Sequence, residues 1–318
     1  MPDFPEVVAP TPFTIRDHVF QWHERTFVMG IINTTPDSFS GDGLLDAKPS
    51  DIRQDYRMID RALEQARGFV EAGADILDLG GESTRPGAGT ISATEEIRRV
   101  VPAIKALRDV VDLPISVDTW KAEVAAPALD AGADLVNDVW GLRRPGGGWN
   151  EPMARLVAAR GVPIVLMHNR RAPAATGALG GHYQSVAYDN LLGDVIRELR
   201  ESIAYAEQHG IRRESIIVDP GIGFGKTPSQ NIVLLRHLGE LRSLGRPILL
   251  GTSRKSFIGL ALNLPPAERV EGTGATVALG IQSGADIVRV HDVAPMVRVA
   301  RMADAVLRPG AWERLLIR

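Results

Sequence analysis

The sequence predicts an α/β protein built as a (β/α)₈ barrel with a short β-hairpin ahead of it. Eight short apolar runs follow one another along the 318 residues, each consistent with a buried parallel strand. About 20 to 50 residues separate successive runs, which leaves room for a crossover helix each time. Eight such units on roughly 280 residues are typical of this fold, also called a TIM barrel. Because periodicity does not show closure, an open, doubly wound sheet is the alternative.

The first predicted element is a β-hairpin over about residues 13–22. Phe13-Thr14-Ile15 and Val19-Phe20-Gln21-Trp22 alternate in polarity on either side of Arg16-Asp17-His18. Such alternation is typical of strands with one buried face. We expect the hairpin to cover the bottom of the barrel, with a loosely packed arm as the alternative.

The eight barrel strands are predicted within about residues 26–305. Three of them follow a repeated Gly-Ala-Asp sequence that begins at Gly73, Gly132 and Gly284. Glycine allows a helix to end in the left-handed conformation, so each repeat indicates a helix followed by a strand. The predicted strands are 27–32, 76–78, 114–117, 135–137, 164–167, 216–218, 248–250 and 287–289. A short terminal helix is expected after Pro309-Gly310.

The composition is that of a soluble globular protein and disfavours several functional classes. The chain has 36 basic and 39 acidic residues, a net charge of −3, whereas nucleic-acid and anionic-membrane binders usually carry a basic excess. It has no cysteine, which excludes disulfides, thiolate metal sites and a cysteine nucleophile. No apolar run is long enough to span a membrane, and residues 1–12 do not resemble a secretory signal. We therefore expect a cytoplasmic protein without nucleic-acid or membrane partners, forming a single domain over residues 1–318.

Polar or charged groups follow each of the eight predicted strands. In a parallel barrel the active site lies at the carboxyl ends of the strands, so these groups would meet at one mouth. One such residue often only caps the next helix, but eight in succession favour a functional site. The residues with the strongest case for convergence come from five different strand ends: Asp118, Asn137, Asp219, Lys255 and Arg289.

One glycine-rich segment, residues 220–227, resembles a phosphate-binding loop of the G-x-x-x-x-G-K-T type. Its first glycine is replaced by Pro220, which has no N–H to offer a phosphate. It also fails as a dinucleotide fingerprint, because Lys226 occupies the third glycine position. A nucleotide-binding loop is therefore not predicted, although the glycines let a ligand approach the backbone closely.

The candidate ligands at the strand ends are mostly oxygen atoms. The histidines form no H-x-x-x-H or H-x-H pair, and only His168 and His291 fall at strand ends, so a zinc site is not predicted. A loosely held Mg²⁺ that shares Asn33 and substrate phosphate oxygens suits these ends better. The carboxylates and the amide match a flat heterocycle with N–H donors and a carbonyl, while Arg289 and His291 could receive a diphosphate.

Two segments carry a resemblance to a known family. Met29–Ser40, which contains Asn33-Thr34-Thr35-Pro36-Asp37-Ser38-Phe39, closely resembles the first signature of dihydropteroate synthases. Gly80–Gly87, with Glu82-Ser83-Thr84-Arg85-Pro86, resembles the second signature. Ser253-Arg254-Lys255 and Arg289-Val290-His291-Asp292 also stand in the family's order, and the match runs from about Thr26 to Ala300.

The resemblance implies a transferase of folate biosynthesis on a barrel fold. It would condense 6-hydroxymethyl-7,8-dihydropterin diphosphate with 4-aminobenzoate to give 7,8-dihydropteroate and diphosphate. Mg²⁺ would be the cofactor. Relatives are homodimers, so a homodimer is expected, and sulfonamide inhibition is implied on the same ground.

The resemblance also implies roles for individual residues, with Asp118, Lys255 and Arg289 as the catalytic group. Arg289 would stack on the pterin and, with His291, bind diphosphate, while Asn33 would meet Mg²⁺. The residues that would hold the pterin are Asp118, Asn137, Asp219 and Lys255. The residues that would form the aminobenzoate pocket are Phe39, Thr84, Arg85, Pro86, Phe224 and Ser256.

Two other functions stay open. Pterin-binding barrels that pass a methyl group from methyltetrahydrofolate to a corrinoid could share the Asp/Asn/Asp contacts, but they need no diphosphate site. The Ser-Arg-Lys run and the Thr-Pro-Asp-Ser loop argue against them. A non-catalytic paralogue could retain the pterin pocket without turnover. The first loop, from Ser40 to Gln54, departs from the family in order and length, which bears on aminobenzoate binding more than on pterin binding.

Several other strand-end residues are expected to have structural roles. Asp78, Asp138 and Asp292 would orient neighbours or cap helices, and Ser253 would cap a helix. His168 would pack behind the site rather than bind a ligand, and Arg170-Arg171 would be a solvated pair.

Overall fold

The computed structural model describes residues 10–34, 52–83, 89–170, 175, 179–308 and 310, with residues 52–56 described by their backbone alone. Its strands are β1 (Phe13–Ile15), β2 (His18–Phe20), β3 (Phe27–Asn33), β4 (Ile76–Gly80), β5 (Ile115–Asp118), β6 (Leu135–Asp138), β7 (Ile164–Met167), β8 (Ile216–Asp219), β9 (Leu249–Leu250) and β10 (Ile287–Val290). Its helices are α1 (Ile52–Ala72), α2 (Ala93–Arg108), α3 (Ala122–Asp130), α4 (Glu151–Arg160), α5 (Leu191–Gln208), α6 (Pro228–Arg236), α7 (Ser256–Leu262), α8 (Val270–Gln282) and α9 (Val293–Leu307).

Strands β3 to β10 form one parallel sheet that closes on itself. The order of the strands is β8-β7-β6-β5-β4-β3-β10-β9, and every neighbouring pair is parallel. The two ends meet where Val218 of β8 pairs with Ile248, the residue before β9, in a parallel bridge. The Val218 N–H donates to the Pro247 carbonyl at 2.9 Å across the same junction. The predicted barrel is therefore confirmed, and the open-sheet alternative is wrong.

The alternation of side chains along each strand explains why polar groups end the apolar runs. Successive side chains point to opposite faces, so residues two apart share the barrel interior. On four strands, an interior-facing apolar residue is followed two positions later by a polar or charged one. The apolar residue of each such pair belongs to one buried cluster at the bottom of the barrel, and the polar residue lies nearer the mouth. These pairs are Ile76 with Asp78, Leu135 with Asn137, Ile217 with Asp219, and Ile287 with Arg289.

The N-terminal hairpin covers the bottom of the barrel, as predicted. β1 and β2 pair antiparallel, with Phe13 opposite Phe20. The Phe20 ring lies 4.7 Å from the ring of Phe27 at the start of β3, and the Trp22 ring lies 5.5 Å from it. Phe20 and Trp22 are buried in the same cluster as the lower barrel residues, so the hairpin is a packed part of the core and not a loose arm.

The three Gly-Ala-Asp repeats share one pattern of hydrogen bonds. Their first glycines have φ values of 89°, 112° and 99°, so the predicted left-handed helix ends are confirmed. The aspartate two residues later accepts a backbone N–H near the start of the neighbouring strand, a bond that the sequence did not reveal. The three bonds run from Val28 to Asp75 at 2.8 Å, from Ile115 to Asp134 at 2.8 Å and from Ile248 to Asp286 at 3.0 Å.

No helix within the described ranges is long and apolar enough to cross a membrane. The terminal helix expected after Pro309-Gly310 and the first loop from Ser40 to Gln54 fall mostly outside the described residues. The single-domain organisation remains a prediction.

Candidate active site

Arg289 lies in the barrel mouth, where it bonds to residues of two other strands and reaches a third through Asp78. Its Nε donates to Asp78 Oδ2 at 2.6 Å, and its Nη2 donates to Asp118 Oδ2 at 2.6 Å. Asp78 Oδ2 also accepts a hydrogen bond of 3.2 Å from Asn137 Nδ2. Side chains from β4, β5, β6 and β10 therefore form one network, and the role of Asp78 is to orient its neighbours, as expected.

Two carboxylate oxygens in this network have no hydrogen-bond partner in the described part of the chain. Asp78 Oδ1 and Asp118 Oδ1 are both buried, and neither receives a hydrogen bond from any described residue. Buried acceptors are normally satisfied, and leaving one unpaired costs about 1–3 kcal/mol. A ligand with N–H donors would remove that cost, which makes these two oxygens the clearest sign of a binding site.

Burial and neighbouring charges shift the protonation equilibria of this network. Burial raises the pKa of Asp118 to about 7, against the influence of Arg289 and with that of Asp78. Burial by itself lowers the pKa of Arg289, but the adjacent carboxylates of Asp78 and Asp118 more than compensate and raise it. The guanidinium therefore stays charged, while Asp118 can change protonation near neutral pH.

Asp219 and Lys255 form the second part of the mouth. Asp219 Oδ1 accepts the Gly221 N–H at 2.6 Å, and a β-carbon placed on Gly251 would lie 4.0 Å from Asp219 Oδ2 and 3.9 Å from Lys255 Nζ. Lys255 Nζ donates to the Ile222 carbonyl. Burial raises the pKa of Asp219 and lowers the pKa of Lys255 to about 8, and each of these two charges opposes the shift of the other.

The other predicted site residues are placed less centrally. Lys255 Nζ lies 4.7 Å from the ring centroid of Phe224, which brings that ring to the mouth. The His291 backbone N–H donates to Ser253 Oγ at 3.1 Å, and the same hydroxyl oxygen lies 3.0 Å from His291 Nδ1. Asn33 ends β3, and Ser256 begins α7, but no side-chain hydrogen bond among the described residues joins either of them to the Arg289 network. Phe39, Thr84, Arg85 and Pro86 lie outside the described residues.

Two of the expected structural roles are wrong and others are confirmed. Ser253 does not cap a helix, because its hydroxyl is used by His291. Arg170 is not simply solvated, because it pairs with Glu198 and Asp194. Asp138 accepts the N–H groups of Trp140 and Leu142 at 2.9 and 2.8 Å, and Asp292 orients Arg254 through an ion pair with its Nε at 2.8 Å.

A buried lysine beside the second signature went unnoticed in the sequence. Lys121 Nζ contacts Glu82 at 2.5 Å, the Ile91 carbonyl at 2.7 Å and Glu96 at 2.7 Å. Glu82 and Ile91 stand at the two ends of the segment 83–90, so one ammonium group holds both ends. Its position three residues after Asp118 is the only sequence signal that could have suggested this role.

The described residues contain no group of three or more His, Cys, Asp or Glu side chains arranged for a metal. Asn33, at the end of β3, offers a single amide oxygen. Mg²⁺ commonly takes one or two protein oxygens and completes its shell with water and substrate phosphates. The donor chemistry of Asn33 is compatible with that mode.

Comparisons with known proteins point to one family. A family model described as pterin binding enzyme matches residues 29–291. A dihydropteroate synthase of Clostridium beijerinckii is 47% identical over 290 residues, which cover 91% of this chain and 97% of that protein. Two solved structures are similar over the whole barrel. One is a dihydropteroate synthase from Clostridium difficile in the presence of pteroic acid, with a TM-score of 0.79 at 45% identity, covering 91% of this chain and 99% of that one. The other is a Xanthomonas albilineans dihydropteroate synthase with 4-aminobenzoic acid, with a TM-score of 0.79 at 40% identity, covering 94% and 98%.

Proposed function

Because the chain belongs to the pterin-binding enzyme family and catalyses the dihydropteroate synthase reaction, we propose which of its residues carry each step. The reaction condenses 6-hydroxymethyl-7,8-dihydropterin diphosphate with 4-aminobenzoate and releases 7,8-dihydropteroate and diphosphate. One observation supports the placement of the pterin above all others: the buried oxygens Asp78 Oδ1 and Asp118 Oδ1, beside Arg289, receive no hydrogen bond from the residues that the structure describes. They require N–H donors, and the edge of a pterin supplies them.

The pterin ring lies in the mouth between Asp118, Asn137, Asp219 and Lys255. The carboxylates of Asp118 and Asp219 accept its N–H groups, and Asn137 adds an amide that can both donate and accept. Lys255 donates to the pterin carbonyl from the other side. This set is complementary to a heterocycle that alternates donors and acceptors along its edge.

Arg289 provides a fixed cationic plane against the pterin. Its Nε and Nη2 are held by Asp78 and Asp118, so the guanidinium cannot rotate, and its flat face is available for stacking. Arg289 lies on β10, which His291 directly follows, and the two residues receive the diphosphate of the substrate.

The chemistry is a displacement at the pterin methylene group. The C–O bond to the diphosphate breaks, and its electron pair leaves with the diphosphate, whose growing negative charge is stabilised by Arg289 and His291. The methylene becomes electron-poor, and the carboxylates of Asp118 and Asp219 stabilise that positive charge. The amino group of 4-aminobenzoate forms the new C–N bond and then loses a proton to solvent. A strong base is unnecessary, because an aniline is neutral and nucleophilic near pH 7.

Asn33 would hold Mg²⁺ together with the oxygens of the substrate diphosphate. When bound, the ion supplies Lewis-acid stabilisation of charge on the leaving diphosphate. The support for this assignment is the position of an amide oxygen at the end of β3, next to β10, which carries Arg289 and is followed by His291.

The aminobenzoate site adjoins the pterin, with Phe224 and Ser256 on one side. Phe39, Thr84, Arg85 and Pro86 complete the assignment, as the family resemblance implies. Sulfonamides carry an arylamine of similar shape, and we expect them to compete with 4-aminobenzoate. The homodimer and the cytoplasmic location also remain proposals, the first of which size-exclusion chromatography with light scattering would test.

Diphosphate release is the experiment that tests the whole assignment. Purified protein with pterin diphosphate, 4-aminobenzoate and Mg²⁺ is expected to release diphosphate and form dihydropteroate. The Lys255→Ala variant is expected to stay folded and to lose binding of the pterin diphosphate. Saturable pterin binding without diphosphate release would instead identify a non-catalytic paralogue, and methyl transfer to a corrinoid would identify the other class of pterin-binding barrel.

A further inference from the structure

We propose that Lys226 is a positioning residue for the pterin site: its buried ammonium group gathers the loop after β8, residues 220–225, and thereby places Asp219 and Lys255. This inference rests on the pterin-binding roles proposed above for those two residues. Lys226 is the lysine of the segment that resembles a phosphate-binding loop. Its role is different, because its ammonium group faces the protein interior.

The ammonium group of Lys226 is enclosed by acceptors from the protein. The residue is 1% exposed, and its Nζ lies 2.9 Å from His168 Nδ1, 3.0 Å from the Gly221 carbonyl and 3.0 Å from the Phe224 carbonyl. A protonated lysine has three N–H donors and no acceptor, so three partners use it fully. No donor is left for a substrate phosphate, and Lys226 must act through the loop that it holds.

The glycines of the loop are explained by this arrangement. Gly221, Gly223 and Gly225 have φ values of 67°, 82° and 60°, in the left-handed region that favours glycine. A β-carbon on Gly221 would lie 1.9 Å from the His168 carbonyl oxygen, and one on Gly225 would lie 2.0 Å from the Arg170 carbonyl oxygen. The loop therefore lies flat against the segment that follows β7, and its carbonyls can turn towards Lys226.

The same loop touches both pterin-site residues. The Gly221 N–H donates to Asp219 Oδ1, while the carbonyl of Gly221 is held by Lys226. The Ile222 carbonyl accepts from Lys255 Nζ, and the Phe224 ring lies beneath that ammonium group. Gly221 and Phe224, whose carbonyls bind Lys226, therefore also contact the pterin-site residues, and Ile222, which binds Lys255, is the neighbour of Gly221.

His168 anchors Lys226 from behind. Burial and the adjacent Lys226 charge lower the pKa of His168 to about 3, which keeps the imidazole neutral and able to accept at Nδ1. The hydrogen bonds assign the remaining proton to Nε2, which lies 3.0 Å from Glu198 Oε2. Glu198 Oε1 in turn accepts from Arg170 Nε at 3.0 Å. The contacts from Arg170 through Glu198 and His168 to Lys226 therefore fix the position of the loop relative to the segment that follows β7.

The test compares the two substrates in the Lys226→Met variant, which keeps an unbranched side chain up to the Cε position and loses the Nζ atom with its three hydrogen bonds. The KM and Kd for pterin diphosphate are expected to rise roughly tenfold or more, since the loss of charge-assisted hydrogen bonds has that effect. The KM for 4-aminobenzoate is expected to rise less than the KM for pterin diphosphate, because Phe224 is the one aminobenzoate-site residue on this loop and Lys226 holds it through its backbone carbonyl alone. Lys226→Gln, which restores two N–H donors, is expected to fall between wild type and Lys226→Met.

The matched control is Arg246→Met, which removes another buried cation, 4% exposed and paired with Glu207 at 2.6 Å, just before β9 at the bottom of the barrel. Its pterin KM is expected to equal that of wild type even if its melting temperature falls. A folded Lys226 variant with a wild-type pterin KM overturns the proposal, as does an equal rise in both KM values. Failure of both Lys226 variants to fold would also overturn it, because folding alone would then explain the residue. Normal pterin binding by Lys255→Ala would instead disprove the underlying site assignment.

Discussion

The guanidinium of Arg289 and the carboxylate of Asp118 meet at 2.6 Å across the barrel mouth, although the residues are 171 positions apart in the chain. Arg289 is shared with Asp78, so two carboxylates face one cation. With both acids ionised, this group of three carries one net negative charge in a buried place. That charge favours a positive pterin methylene, and the same feature makes the three residues sensitive to substitution.

Replacing Arg289 with lysine should strongly impair catalysis. An ammonium group is a single point and cannot reproduce the two donors that reach Asp78 and Asp118. We expect kcat/KM for pterin diphosphate to fall on the order of a hundredfold, equivalent to about 2.7 kcal/mol. Steady-state diphosphate release measures this, with circular dichroism to verify the fold. Activity within a few-fold of wild type would show that the paired geometry is unimportant.

The pH profile of kcat/KM should be bell-shaped. Burial raises the pKa of Asp118 to about 7, and its carboxylate form accepts the pterin N–H, so activity is lost as the pH falls through that value. Burial lowers the pKa of Lys255 to about 8, and its charged form donates, so activity is lost as the pH rises through that value. In Lys255→Arg the part of the alkaline limb that is due to residue 255 should disappear, because arginine stays protonated. A flat profile between about pH 6 and 9 would contradict both assignments.

Lys121→Met should affect the other substrate. Lys121 holds Glu82 and the Ile91 carbonyl at the two ends of the segment 83–90, and the family resemblance places the aminobenzoate contacts of Thr84, Arg85 and Pro86 in that segment. We expect the KM for 4-aminobenzoate to rise about tenfold while the KM for pterin diphosphate changes less than about twofold.

Glu96→Gln is the control for this variant, because it changes the third partner of Lys121 and keeps both contacts to the ends of the segment. Its aminobenzoate KM should stay close to the wild-type value. If Lys121→Met raises both KM values equally, the lysine supports the whole fold and not this segment in particular.

Asp134→Ala should lower stability and spare catalysis. The carboxylate accepts the Ile115 N–H at 2.8 Å and pairs with Arg108, at the end of the barrel opposite the mouth. Loss of these contacts should reduce the free energy of unfolding by about 1–3 kcal/mol. Urea denaturation followed by fluorescence measures it. Asp130→Ala, which breaks an exposed pair with Arg160, should change the free energy by less than about 0.5 kcal/mol. A large loss of kcat in folded Asp134→Ala would disagree with a purely structural role.

Asn33→Ala should raise the Mg²⁺ concentration needed for half-maximal activity several-fold, because it removes an oxygen ligand. Chelation with EDTA should stop diphosphate release in wild type, and added Mg²⁺ should restore it. Asn33→Asp keeps an oxygen at the same position and is expected to retain a low Mg²⁺ requirement. Identical Mg²⁺ titrations for wild type and Asn33→Ala would remove Asn33 from the metal site.

Local patterns in the sequence were enough to predict the strands and the polar groups that end them. Ile287 and Arg289 show why. An apolar residue followed two positions later by a charged one, both facing the interior, indicates a strand and shows which of its ends lies at the barrel mouth. All eight predicted strands are present, with ends within two residues of the prediction. The bonds that join Arg289 to Asp78 and Asp118 were not predictable, because they depend on the distances between strands far apart in the chain.

The roles of the two buried lysines, Lys121 and Lys226, were not predicted, for a different reason. The partners of Lys226 include backbone carbonyls, and every residue has one, so no side-chain pattern marks them. Lys121 does pair with acidic side chains, but Glu82 and Glu96 lie 39 and 25 positions away. In both cases the sequence alone predicts an exposed lysine, because the acceptors that allow its burial come together only in the folded protein.

The junction between β8 and β9 has a consequence for how ligand binding and rigidity are linked. β9 is only two residues long and meets β8 at the single Val218–Ile248 bridge. This is the least extensive strand pairing of the barrel among the described strands. Asp219 is the last residue of β8, and Lys255 lies in the segment that follows β9. A pterin bound to both residues connects β8 with β9 across this junction. Substrate should therefore slow amide hydrogen exchange at Leu249 and Leu250 more than at β3 and β4, which pair over five residues.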